Sequence, residues 1–367
     1  MVEGIEKLVR IDMTRFGVYS PAKAPDVIAR KLGIPEKEII KLDANENPYG
    51  CSPKVREALA KYPYFYIYPD AAQTELRGLL AKYVGLGVEH IVAGNGSDEL
   101  IDLLLRIFVS PGDEVIIAVP TFDMYRFCTE VCRGKVVNVI RNRDYEVDVE
   151  AIRRAVTEKT RLIFVTSPNN PTGTVISERD ILKLVETGLP LVIDEAYYEF
   201  STQTVVKLVP QFQNLIVLRT FSKWAGLAGL RVGYGIFPLK IAEILMKVKP
   251  PYSINMAALV AVRESFKDAD YLLGTVKKMI EERGRLFEKL KQLDFLRPIP
   301  SQANFILSEV IKGRAACIQD ELEKQGILVR YYDTPLLRNY FRISVGKPEQ
   351  TDKIIAALRE LGEKING

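Results

Sequence analysis

Residues 161–173 read RLIFVTSPNNPTG. An apolar run stops at two prolines, two asparagines and a glycine, and that change of chemistry marks a buried strand feeding a rigid polar loop. The same pattern recurs on both sides of it. Upstream lie IVAG (91–94), EVIIAV (114–119) and KVVNVI (135–140); downstream lie LPLVIDE (189–195), NLIVLRT (214–220) and RVGYGIF (231–237). Most of these runs are apolar throughout rather than alternating, as strands covered on both faces are. Between several of them the period lengthens to that of a helix. SDELIDLLLRIF (97–108) spaces its apolar residues by three and four, and SERDILKLVE (177–186) opens on Ser177 as an N-cap. Such alternation predicts an α/β fold with a mostly parallel central sheet and helices on both faces.

Beyond residue 260 the rhythm changes. A charged helical stretch over about 263–293 leads to FLRPIPSQANFILSEV (295–310), a strand candidate behind two prolines. A helix around 313–325, the strands ILVRYY (327–332) and YFRISVG (340–346), and a last helix from about 348 follow. These elements lack parallel strand–helix–strand rhythm and predict a smaller α+β domain. The first forty residues, with Pro21, Pro25 and Pro35, read as an arm that completes it. The expected division is an arm over 1–40, a large domain over 41–262 and a small domain over 263–367.

Composition excludes several classes of function. The net charge is only +4 over 367 residues, with both signs interleaved, which leaves no footprint for nucleic acid or an anionic membrane. No apolar run approaches the length of a membrane span or a signal peptide, so a cytoplasmic protein is expected. Cys51, Cys128, Cys132 and Cys317 form no CxxC pair and read as small hydrophobes of a reducing compartment. His90 is the single histidine, expected in a solvated loop, and a lone histidine argues against a Ser-His-Asp triad and against a His-rich zinc site. Metal ligation is not expected. Any chemistry must use Lys, Asp, Tyr, Arg or a cofactor.

Ligands of open parallel sheets gather at the carboxyl ends of the strands, so the residues ending each run carry the argument. IVAG ends in Asn95-Gly96-Ser97-Asp98 and opens a helix, which suits a phosphate, although taken alone a plain capping turn is the favoured reading. The spacing is neither GxGxxG nor Walker A. SPNNPTG holds Asn170 at the sheet edge. LPLVIDE places Asp194 at the end of an apolar run, where a carboxylate needs compensation. Arg219 or Arg231 would supply it structurally; a protonated pyridine nitrogen would supply it functionally, as pyridoxal phosphate does. Tyr197, three residues on, reaches the same place. NLIVLRT runs into Ser222-Lys223 and then small residues, a setting that desolvates an amine and makes it nucleophilic. Ser222 and Arg231 suit a phosphate ester.

With those residues set out, the chain resembles the fold-type-I pyridoxal-phosphate aminotransferases, and among them the histidinol-phosphate aminotransferase subfamily. The landmarks are LDANENPYGCSP (42–53), YIYPD (66–70), GNGSDE (94–99), SPNNPTG (167–173), DEAYYEF (194–200), RTFSKWAGLAGLRVGY (219–234), PPYSIN (250–255), SQANF (301–305) and FRISVG (341–346). The resemblance implies that Lys223 carries the cofactor as a Schiff base and moves the substrate Cα proton. It implies that Asp194 keeps the pyridine nitrogen protonated, that Asn170 and Tyr197 bind the ring 3-oxygen, and that Tyr125 stacks on the ring. Ser97, Asp98, Thr220, Ser222 and Arg231 would hold the phosphate. Tyr68 would reach it from the neighbouring subunit of a homodimer. Tyr19, Arg330 and Arg342 would bind the substrates, L-histidinol phosphate and 2-oxoglutarate, in histidine biosynthesis. An aromatic amino-acid aminotransferase and a threonine-phosphate decarboxylase of the same fold are the alternatives. Trp224, beside the lysine, departs from the subfamily's usual small residue.

Overall fold

The computed structural model describes residues 24–366 without a break, together with positions 4, 8–10 and 13. Its larger sheet contains seven strands in the order β2-β8-β7-β6-β5-β3-β4. These are β2 (Ile91–Gly94), β3 (Glu114–Val119), β4 (Lys135–Ile140), β5 (Thr160–Thr166), β6 (Leu191–Asp194), β7 (Leu215–Thr220) and β8 (Gly233–Ile236). The pairs from β4 through β3, β5 and β6 to β7 are parallel, and only β8 runs against both its neighbours. The α/β architecture with a mostly parallel central sheet is therefore the one the apolar runs imply. Alternate side chains of each strand enter two separate cores. Ile116, Ile163, Ile193 and Val217 pack on one face, and Ile117, Phe164, Val192 and Leu218 on the other. Both faces being covered explains why the runs are apolar rather than alternating.

A second sheet of five strands has the order β1-β11-β12-β10-β9. It is built from β1 (Ile40–Leu42), β9 (Leu296–Pro298), β10 (Phe305–Val310), β11 (Ile327–Tyr331) and β12 (Tyr340–Ser344), with its own core around Leu290, Phe295, Ile306, Phe341 and Leu358. β1 pairs in parallel with β11, so the chain entering the large sheet first passes along the small one. No helix among the described residues is long and apolar enough to cross a membrane.

Two local expectations fail for identifiable reasons. The helix expected over about 263–293 is two helices, Met256–Lys267 and Ala269–Lys291. They break at Asp268, whose carboxylate accepts from Ser52 Oγ and from Lys54 Nζ at 2.8 Å. A side chain that bonds groups remote in sequence leaves no local signal. His90, expected in a solvated loop, is buried, with Nδ1 2.7 Å from the Phe237 carbonyl oxygen. A carbonyl only accepts, so Nδ1 carries the proton there.

Candidate active site

The carboxyl ends of β5, β6 and β7 bring Asn170, Asp194 and Lys223 together with the small sheet's Arg342. Each is delivered by a different piece of local structure. The loop after β5 is locked by Asn169, which is fully buried. Its Nδ2 donates to the Pro120 carbonyl at 3.0 Å and to Thr172 Oγ1 at 2.8 Å, while Thr121 Oγ1 donates to its Oδ1 at 2.7 Å. Gly173, at φ 76°, lies so close to Ser301 that a Cβ would stand 2.2 Å from its Oγ. With the loop pinned at both places, Asn170 projects from it and accepts from Arg342 Nη1 at 2.6 Å.

Asp194 ends β6 almost fully buried. Tyr125 Oη donates to Oδ2 at 2.6 Å and the Ala196 N–H to Oδ1 at 3.0 Å. Neither arginine weighed for it is its partner. Arg219 pairs with Glu195 at 2.8 Å and lies over the Tyr198 ring, and Arg231 pairs with Asp98 at 2.8 Å. Burial without a paired cation pushes the Asp194 carboxyl up to about 6. A buried carboxylate held by two donors, with no counter-ion among the described residues, is fitted to meet a protonated ring nitrogen.

Lys223 follows β7 and stays partly accessible. Its Nζ donates to the Ala44 carbonyl at 3.0 Å. Burial first, and then the Arg342 guanidinium, push the ammonium down to about 8. That places a usable fraction of free amine near neutral pH.

The anion end lies at the other edge of β7. The helix Ser97–Phe108 starts beside Arg231, and glycines make the approach possible. A Cβ on Gly96, at φ 81°, would stand 2.3 Å from Arg231 Nη2, and one on Gly233 would stand 2.3 Å from the Ser97 nitrogen. Thr220 Oγ1 donates to Ser222 Oγ at 3.0 Å, which gathers two hydroxyls at the same place. Backbone N–H groups of a helix start, two hydroxyls and an arginine fit a phosphate monoester. Asp98 stands in the first turn of that helix, so its main-chain N–H belongs to the same cradle, while its carboxylate accepts from Arg231 and aims that side chain.

On the substrate side, Arg330 and Arg342 stand directly opposite one another on β11 and β12. Both guanidiniums lie over the Tyr332 ring, at 5.6 and 5.9 Å from its centre. Opposed like charges are unfavourable across a ladder, so the pair is suited to an anion laid between them. Arg342 Nη2 also donates to the Asp43 carbonyl at 2.5 Å. Tyr19 lies outside the described residues.

Tyr125 is a correction. Its side chain has no accessible surface, its ring stacks on Phe164 at 4.6 Å, and its hydroxyl is committed to Asp194. No molecule entering the site can lie against that ring. Phe122 and Phe127 of the same segment are partly exposed, and Phe122 is the one that meets Tyr125 edge-on, at 5.7 Å. The segment TFDMYRF holds three aromatics within six residues, and pattern alone does not rank them. The second omission is the segment Asp43–Asn47, treated as a landmark only. It touches Arg342, Lys223, Tyr197 and, through Asn47 Nδ2 at 2.8 Å, the Trp224 carbonyl. Its polar density, DANEN, was the available signal. Trp224 itself is fully buried and stacks in parallel on Tyr83 at 5.9 Å, so the indole faces the core and not the pocket.

A desolvated lysine, a buried carboxylate lacking a counter-ion and a phosphate cradle at the strand ends of this sheet define a pyridoxal-phosphate enzyme of fold type I. Residues 37–358 match the family model described as aminotransferase class I and II. The chain belongs to that family and, within it, to the histidinol-phosphate aminotransferase group. It is 53% identical to the histidinol-phosphate aminotransferase of Dehalococcoides mccartyi strain BAV1, over 99% of this chain and 100% of that one. The chloroplastic histidinol-phosphate aminotransferase 1 of Arabidopsis thaliana is 45% identical, covering 97% of this chain and 86% of the relative. Among solved structures, histidinol-phosphate aminotransferase from Sinorhizobium meliloti in complex with pyridoxal-5'-phosphate superimposes with a TM-score of 0.86 at 26% identity, over 96% of this chain and 97% of that one.

Proposed function

We propose that this enzyme moves the amino group between L-histidinol phosphate and 2-oxoglutarate, as a step of histidine biosynthesis, using pyridoxal phosphate. The observation that carries the cofactor reading is Asp194, buried at the end of β6 with no paired cation among the described residues, with Lys223, lowered by burial to about 8, following the neighbouring strand β7. Bound there, pyridoxal phosphate supplies an aldehyde for amines and a protonated ring that accepts an electron pair. The chain's residues do the rest. Asp194 holds the proton on the ring nitrogen. Asn170 and Tyr197 position the 3-oxygen, and Phe122 covers the ring face. Ser97, Thr220, Ser222 and Arg231, aimed by Asp98, hold the phosphate. The Lys223 amine, lowered toward its neutral form, would hold the cofactor and would serve as the base that takes up and returns the substrate Cα proton. Arg330 and Arg342 grip the anionic end of whichever substrate is present, carboxylate or phosphate, because one pocket must serve both half-reactions.

The reading extends to a homodimer in the cytoplasm, with Tyr68 reaching the phosphate of the partner's site. Tyr66 and Tyr68 are 81% and 77% exposed, and Tyr68 stacks on Tyr252 at 4.5 Å. Such an aromatic patch is what an obligate interface covers. The division at about residues 40 and 262 is likewise part of the proposal. The test is the absorption spectrum of the loaded protein before and after L-histidinol phosphate, and separately glutamate. Both should bleach the yellow form. Bleaching by glutamate alone would keep the aminotransferase and overturn the substrate.

A further inference from the structure

Asn45 is almost wholly buried and sits at φ 55°, a left-handed conformation that asparagine tolerates better than most residues. Every polar group it has is engaged, and each partner comes from far along the chain. Its main-chain N–H donates to Ser344 Oγ at 2.8 Å, and Ser344 Oγ donates back to Asn45 Oδ1 at 2.9 Å. Asn304 Nδ2 donates to its carbonyl at 2.9 Å. The closed ring with Ser344 fixes which way the side-chain amide faces, because the hydroxyl proton needs the amide oxygen. The remaining group, Nδ2, donates to Tyr197 Oη at 2.9 Å.

That last bond has a directional consequence. An oxygen that accepts from Asn45 turns its own O–H elsewhere, and the open direction is the pocket, where Lys223 Nζ lies 6.0 Å from the Tyr197 ring centre. Burial raises the Tyr197 phenol, so it remains a donor. Donation into Tyr197 also polarises its O–H and strengthens what it gives onward. Ser344 lies two residues beyond Arg342 on the same strand, so the chain Ser344–Asn45–Tyr197 joins the arginine strand to the ring site.

We propose that Asn45 is a positioning residue that sets the direction and strength of the Tyr197 hydrogen bond to the cofactor's 3-oxygen, and that it ties this bond to the seating of the Arg342 strand. The inference rests on the proposed function. A donor on the 3-oxygen stabilises its anionic form and so eases loss of the proton from the Lys223–cofactor linkage. Weakening that donor must move the linkage's titration to higher pH. One hydrogen bond of about 1 kcal/mol corresponds to roughly 0.7 pH unit.

The test is a pH titration of the visible absorption of the loaded protein, with no substrate present. Asn45→Gly removes the side chain without straining the backbone at positive φ. Its midpoint is expected to rise by about half a pH unit or more, in the same direction as in Tyr197→Phe. Adding Asn45→Gly to Tyr197→Phe should move it no further, since the bond it supports is already gone. Ser344→Ala, which frees the amide to turn, should give a smaller rise and serves if the glycine variant folds poorly. An unchanged midpoint in both single variants, or additive shifts in the double variant, overturns the inference alone. Failure of the unsubstituted protein to take up pyridoxal phosphate overturns the proposed function and this inference with it.

Discussion

At the scale of single residues, the site holds two groups whose charged forms the fold disfavours. Asp194 is raised to about 6 by burial, so between roughly its ordinary value and pH 6 the folded chain keeps a proton that the unfolded chain has lost. Stability of the cofactor-free chain therefore falls as pH rises through that window, and the penalty is complete above it. Asp194→Asn is expected to melt no lower than the parent at pH 8 without cofactor, with the difference closing below about pH 4. The same variant should lose about a hundredfold or more in turnover, because the neutral amide cannot hold the ring proton. Calorimetry across pH and steady-state rates check the two halves. Arg342→Ala should lower kcat/KM for the amino donor and the 2-oxo acid together, by about a hundredfold, since a buried charged anchor is lost to both. A loss confined to one substrate would refute the shared clamp. Residues ending apolar runs were legible in the sequence because burying Asp194 or Lys223 without purpose is costly. Asn45 was not, because its partners Tyr197, Asn304 and Ser344 lie 152 to 299 positions away.

At the scale of elements, the strands were readable and the loops only partly so. Two-sided burial makes the middles of β5, β6 and β7 (162–165, 191–193 and 215–218) apolar without interruption, and that is a property of local sequence. Which asparagine of SPNNPTG faces the pocket is not, since Asn169 and Asn170 differ only in what surrounds them. Asn169 is the fastener and Asn170 the presented group. Asn169→Ala should cost about 1–3 kcal/mol in a denaturant titration, because it leaves the Pro120 carbonyl and the Thr121 and Thr172 hydroxyls without this partner. It should also weaken cofactor retention by loosening Asn170. Stability loss with unchanged retention would show that the loop holds its shape without the fastener. The Asp268 break illustrates the same limit, since nothing in the charged stretch reveals that Ser52 and Lys54 come to meet it.

At the scale of the whole molecule, the two sheets meet through the Asp43–Asn47 segment and the loop at Gly173, so the pocket is shared between them. The aromatic strip at Tyr64–Tyr68 with Tyr252 remains on the outside of one chain. Tyr66→Asp combined with Tyr252→Asp is expected to shift sedimentation from dimer to monomer and to lower cofactor retention with it. A monomeric parent at micromolar concentration would overturn that assembly. The tyrosine cluster was visible in the sequence, but its placement beside PPYSIN, about 180 positions later, required the fold.

One more property follows from the position of Trp224. It is the only tryptophan of the chain, it is joined by a peptide bond to Lys223, and it is shielded from water. Its near-ultraviolet emission overlaps the absorption of a yellow chromophore attached to the next residue, so loading should dim it by energy transfer. The protein thus contains its own optical gauge of occupancy, readable in a fluorimeter without label or substrate.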